Sequence, residues 1–90
     1  MLKIKRTVNR EIVFAVSGRL EIDSLRELAD LLALEPSTRA VILELRDLAL
    51  VDRDAVGFLR TCEQKGIELR NCPRYIRTWI ASDREEGGRD

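Results

Sequence analysis

From residue 2 to residue 8, Leu2, Ile4, Arg6 and Val8 alternate with Lys3, Lys5 and Thr7. This two-residue period predicts a half-exposed strand. Asn9-Arg10 supplies a short polar link, and residues 11–17, Glu-Ile-Val-Phe-Ala-Val-Ser, read as a second and more buried strand that ends at Gly18. Two such runs across a two-residue turn predict an antiparallel hairpin.

The period then changes. Leu25, Leu28, Ala29 and Leu32 recur at helical spacing, with Leu31 widening the stripe. Asp23 or Ser24 can cap this helix, and Glu27 stands at the capping-box distance from Ser24. Pro36 and Ser37 end it, because the residue before proline disfavours helical backbone. Residues 40–45, Ala-Val-Ile-Leu-Glu-Leu, are almost unbroken apolar sequence. Such a run predicts a strand buried on both faces, of the kind found in parallel pairings under helices.

Leu48 to Cys62 is the stretch on which the rest is organised. An apolar segment reaches Val51, turns at Asp52-Arg53-Asp54, and enters a helix with Ala55, Phe58, Leu59 and Cys62 on one face. Asp52 is placed as N-cap, and Asp54 falls in the first turn, where its charge meets the positive end of the helix dipole. A buried Phe58 predicts a loss of about 3–5 kcal/mol on truncation to alanine. Lys65-Gly66 stops the helix. Residues 67–70, Ile-Glu-Leu-Arg, form a short strand, and Pro73 opens a last helix whose apolar edge is Tyr75, Ile76, Trp79 and Ile80. Trp79 is expected to anchor packing. The charged residues 82–90, with Gly87-Gly88, are expected to fray as a flexible tail.

The order is strand, strand, helix, strand, helix, strand, helix. It predicts an α/β fold over residues 2–81, a four-stranded mixed β-sheet packed by about three helices.

Composition narrows the function. Ninety residues support a single modest core. Sixteen basic and 16 acidic residues cancel, which removes the bulk electrostatic case for nucleic acid or an anionic membrane. Arg70, Arg74 and Arg77 cluster, but beside Glu68 and Asp83, and read as a solvated helix face. No apolar run approaches the roughly 20 residues of a membrane span. The first residues lack the apolar centre of a signal peptide, so a cytoplasmic protein is the default expectation. Cys62 and Cys72 have no metal-type or redox-type spacing and read as small apolar residues.

The chain contains no histidine, which removes the commonest general base and zinc ligand. No sequence matches a phosphate-binding glycine loop. Asp52 and Asp54 lack a third ligand for a cation. No enzyme activity, metal or cofactor is expected. The reading is a binding module that meets a protein partner through the acidic junction.

Residues 50–59, Leu-Val-Asp-Arg-Asp-Ala-Val-Gly-Phe-Leu, resemble the motif of STAS domains, the anti-sigma factor antagonists, in which an apolar pair precedes Asp-Ser-Ser-Gly-Leu-Gly. Gly18-Arg19-Leu20-Glu21 is similar to the family's Gly-x-Leu-Asp turn, and Val41 to Leu45 to its central Val-Leu-Asp-Leu strand. The order of elements agrees over residues 2 to 80.

The resemblance implies a bacterial partner-switching role. Unphosphorylated antagonists bind an anti-sigma factor that is also a serine kinase of the GHKL ATPase type, and phosphorylation of the second serine breaks the contact. Here that position is Asp54, the preceding serine is Arg53, and Ala55 replaces the glycine, while Asp52 and Gly57 keep the pattern. Partner contacts are expected, by resemblance, at Asp52, Arg53, Asp54, Ala55, Gly57, Glu21 and Asp23. A serine kinase cannot phosphorylate Asp54, and phospho-switching there is expected to be lost. The alternative use of the scaffold is as a small cytoplasmic subunit of a lipid-transport ABC system, bound to its ATPase. Pairing with a second copy is compatible with either.

Overall fold

The computed structural model describes residues 2–35 and 40–88, with side chains through Ser82. The hairpin forms as the alternation predicts. β1 (Leu2–Val8) pairs antiparallel with β2 (Ile12–Leu20), from Leu2 opposite Gly18 to Val8 opposite Ile12. The second strand does not stop at Gly18. That residue takes φ 92°, which glycine adopts without a Cβ penalty, and the ladder shifts register between Gly18 and Arg19. The strand thus passes through an irregularity and continues for two more residues.

The sheet has five strands, one more than the sequence pattern predicts. β3 (Val41–Glu44) runs parallel to β2 at Ile12–Ala15, and β4 (Leu48–Val51) runs parallel to it at Gly18–Leu20. The two occupy successive stretches of the same neighbour. A turn at Arg46-Asp47, closed by the Leu48 amide donating to the Leu45 carbonyl at 3.1 Å, separates them. β5 (Glu68–Arg70) pairs parallel with β3, and the order is β1-β2-β3-β5 with β4 on β2. The sheet is therefore mixed, as expected.

Three helices complete the fold: α1 (Ile22–Ala33), α2 (Arg53–Gln64) and α3 (Arg74–Gly88). Phe14, Leu43 and Leu69 stand in one row across β2, β3 and β5. They share a single buried cluster with Leu28 of α1, Leu59 of α2 and Ile76 of α3. All three helices thus cover one face. β3 is nonetheless buried on both faces and paired in parallel, as its apolar run predicts. Ile42, on its other face, is fully buried outside that cluster, in a ladder row between Val13 and Glu68.

Several boundaries move. The first residue of α1 is Ile22 and its N-cap is Glu21, so neither Asp23 nor Ser24 caps it; the Ser24 and Leu25 amides donate to the Glu21 carbonyl. The helix ends at Ala33 with Leu34 as C-cap. Pro36 and Ser37 lie outside the described residues. α2 ends at Gln64, with Lys65 as its C-cap and Gly66 beyond it at φ 95°, at the stop that Lys65-Gly66 predicts. α3 runs to Gly88, through the first residues of the segment 82–90 that the sequence assigns to a tail; residues 89–90 lie outside the described residues.

The buried sides of α2 and α3 also differ from expectation. In α2 the buried residues are Ala55, Val56, Leu59 and Cys62, while Phe58 is only half-buried. At 3.6 residues per turn, Val56 shares the inward arc with Leu59, and Phe58 is rotated toward α1. There it lines a groove of about 230 Å³ with Ala29, Leu32, Cys62 and Ile67. In α3 the docked edge is Ile76 and Ile80, whereas Trp79 is 36% and Tyr75 50% exposed. Trp79 does not anchor the core. Arg70 lies on β5, not on a helix, and pairs with Glu68 and Glu11; Arg77 pairs with Glu63.

Candidate functional site

β2 and β4 are parallel neighbours whose carboxyl ends coincide, with Leu20 opposite Val51 and the Asp52 amide donating to the Leu20 carbonyl at 3.4 Å. Each strand passes through one residue, Glu21 or Asp52, into a helix. The amino ends of α1 and α2 therefore emerge side by side on one rim. The carboxyl edge of parallel strands is where α/β sheets present their loops, so this rim is the natural place for a contact surface.

Asp52 ties the rim together. As N-cap of α2 it has extended backbone, its carbonyl accepts from the Val56 amide at 3.0 Å, and its Oδ1 accepts from the Ala55 amide at 2.9 Å. Its Oδ2 accepts from the Ile22 amide, the first of α1, also at 2.9 Å. One carboxylate thus satisfies an otherwise orphaned donor on each of two helices and sets a negative charge at the positive end of both. Sequence spacing shows the first bond, since cap and acceptor amide are three residues apart. It gives no sign of the second, which spans 30 residues.

The seven expected contact residues divide. Arg53, Asp54 and Asp23 are exposed, and Glu21, Asp52 and Gly57 are half-exposed. Ala55 is fully buried beneath the first turn of α2 and cannot touch a partner directly. A Cβ built on Gly57 would meet nothing within 4 Å, so packing within the chain does not require glycine there. Gly57's carbonyl instead accepts from the Thr61 hydroxyl at 3.0 Å.

Two apolar residues join the rim that the sequence pattern did not single out. Ile22 opens α1 and is 58% exposed, and Leu50, opposite Arg19 in the β2–β4 ladder, is 42% exposed. Helical spacing gives no signal of this, since Ile22 stands three residues before Leu25 and seven before Ala29, in line with the apolar stripe. On the far side of β4, Tyr75 donates its hydroxyl to the Ala49 carbonyl at 3.1 Å, so part of that strand's edge is capped by α3.

The chemistry this arrangement can perform is limited. Among the described residues no group of three His, Cys, Asp or Glu side chains could hold a metal ion, and no buried residue is polar or charged apart from the thiol of Cys62. Burial pushes that thiol up to about 11, against a small opposing pull from Lys65, so Cys62 stays protonated and unreactive. Cys72 is half-buried and is likewise raised by burial. What the rim does present is a fixed surface of two acids, a cation and two apolar side chains.

No family model matches this sequence, and no curated protein matches it. Among the described residues no helix is long and apolar enough to cross a membrane.

Proposed function

We propose that this chain is a non-catalytic protein-interaction module of the STAS type. In this reading it binds an anti-sigma factor of the GHKL kinase class through the rim at the start of α1 and α2. The observation that carries the reading is the shared cap. Asp52 fixes both helix starts, and the exposed Ile22, Asp23, Arg53 and Asp54 are grouped beside it. A preorganised surface loses less conformational entropy on binding than a loose loop would, and mixed charge around apolar residues suits a protein partner.

Asp54 gives the module its character. It carries about one negative charge where phosphoserine would carry about −1.5 to −2, and it has no hydroxyl for a serine kinase to modify. Arg53 adds a cation beside it, which selects a partner surface different from one fitted to two serines. The contact is thus constitutive, set by fixed charges and not by a phosphate switch.

Incubation with a GHKL kinase from the same cell and labelled ATP tests this directly. The expected result is stable binding with no label incorporated. Label on Ser17, Ser24 or Thr61 would restore a phosphoswitch at a different hydroxyl and overturn the constitutive reading.

A further inference from the structure

The first ten residues contain four cations, Lys3, Lys5, Arg6 and Arg10, and no acid, in a chain whose charges cancel as a whole. Seven of those ten form β1, an edge strand whose one ladder neighbour among the described residues is β2. Every second backbone N–H and C=O of β1 therefore points away from the sheet, as in any edge strand.

The side chains above and below that edge are sorted by chemistry. Ile4 is opposite Val16 and Arg6 opposite Phe14, which puts Leu2, Ile4, Arg6 and Val8 on the helix-covered face. Lys3 and Lys5, opposite Ser17 and Ala15, stand on the other face. Arg6 is already matched, since its Nε and Nη2 donate to the two carboxylate oxygens of Glu35 at 2.7 and 2.9 Å. Lys3 and Lys5 have no such partner in the described ion pairs. The acids across that face, Glu44 and Asp47, lie beyond Ala15 and Ser17, and Glu44 accepts from Asn71.

We propose that β1 accepts an extended segment of a partner protein as an added strand, and that the segment alternates apolar and acidic residues. The alternation follows from the pleat. Residues directly opposite on neighbouring strands share a face, so the acids meet Lys3 and Lys5 while the apolar residues lie beside Leu2 and Ile4. Backbone hydrogen bonds hold the segment and the alternate side chains choose it. A second copy of this chain is a poor occupant. Two-fold antiparallel pairing centred on Ile4 sets Lys3 against Lys5, and pairing centred on Lys5 sets Lys5 against itself, both like-charge contacts. The site is separate from the Asp52 rim, and the proposal does not depend on the function proposed for that rim.

The test is an NMR titration of the isotope-labelled chain with a blocked five-residue peptide of alternating valine and glutamate. Shifts should centre on the β1 amides. Replacing the glutamates by lysine, or making the exposed substitutions Lys3→Glu and Lys5→Glu together, should weaken binding by about tenfold, the scale of two cross-strand charge pairs reversed. Two further peptides, methylated on alternate backbone nitrogens in the two possible phases, separate a ladder from simple charge attraction. One should lose binding, and the other should keep it. Equal binding by both, shifts that map away from β1, or a lysine peptide that binds as well would each overturn the proposal. Sedimentation showing a dimer of the free chain that Lys5→Glu alters would overturn the choice of occupant.

Discussion

Asp52 and Ile22, 30 residues apart, are joined by a bond of 2.9 Å from the Ile22 amide to Oδ2, while Oδ1 of the same carboxylate caps α2 through Ala55. The bond ties the start of one helix to the start of the next, and it makes two substitutions of Asp52 informative. Asp52→Ala removes both bonds and should cost about 2 kcal/mol, above the roughly 1 kcal/mol of an ordinary cap. Asp52→Asn keeps an acceptor for Ala55 but turns an amide donor toward Ile22, and should cost about 1 kcal/mol. Urea denaturation of the two variants checks both values, and no loss in Asp52→Asn would mean that the Ile22 bond contributes nothing.

Gly57 gives a prediction of opposite sign. It sits inside α2 with open space where its Cβ would be. Gly57→Ala should stabilise the chain by about 0.5–1 kcal/mol, because glycine is the weaker helix former. If Gly57 meets the partner, as the resemblance implies, the same variant gains thermal stability and loses partner binding.

Phe58 and Leu59 are adjacent but unequal. Leu59 is fully buried, and Leu59→Ala should cost about 2–5 kcal/mol. Phe58 is half-buried at the groove against α1, so Phe58→Ala should fall below the 3–5 kcal/mol range of fully buried phenylalanines, at about 2 kcal/mol. Denaturation of the two single variants compares them.

The ion pair between Arg6 and Glu35 has a pH signature. Hydrogen bonding from Arg6 holds the Glu35 carboxyl below its ordinary value of 4.5. A carboxyl lowered by folding stabilises the native state above its unfolded value, and that contribution fades as pH falls through the folded one. The wild type should therefore lose stability below about pH 4.5 more steeply than Glu35→Gln, as read by thermal melts across pH 3 to 6. Cys62 works at the other end of the scale. Its thiol is raised from 9.0 to about 11, so the stability due to its burial is present below pH 9 and is lost as pH rises toward 11.

Much of this fold is written in local pattern. The β1–β2 hairpin follows from strict alternation, and the start of α2 from an aspartate three residues before the amide it caps. What escaped the pattern is what long-range packing decides. Gly18 looks like a strand end, yet it is where β2 shifts register to take β4 as its neighbour. Ser24 and Glu27 have capping-box spacing, yet the cap of α1 is Glu21, aided by a carboxylate from another loop. Tyr75 and Trp79 lie on the same helical stripe as Ile76 and Ile80, and only the placement of α3 against α2 decides which pair is buried. At the rim, the exposed acids were legible as charges in a turn. The exposure of Ile22 and Leu50 was not, because hydrophobicity alone does not say which apolar residues a small core leaves outside.

The most direct test of the central claim is affinity capture from native-host lysate with the wild type, Asp54→Ser and Asp54→Arg as parallel baits, the bound proteins being identified by mass spectrometry. A rim-bound partner of the GHKL class should appear with the wild type, change in amount with Asp54→Ser, and drop sharply with Asp54→Arg. Capture of an ABC-type ATPase in equal amounts by all three baits would contradict the account and make the chain a transporter subunit held through another face.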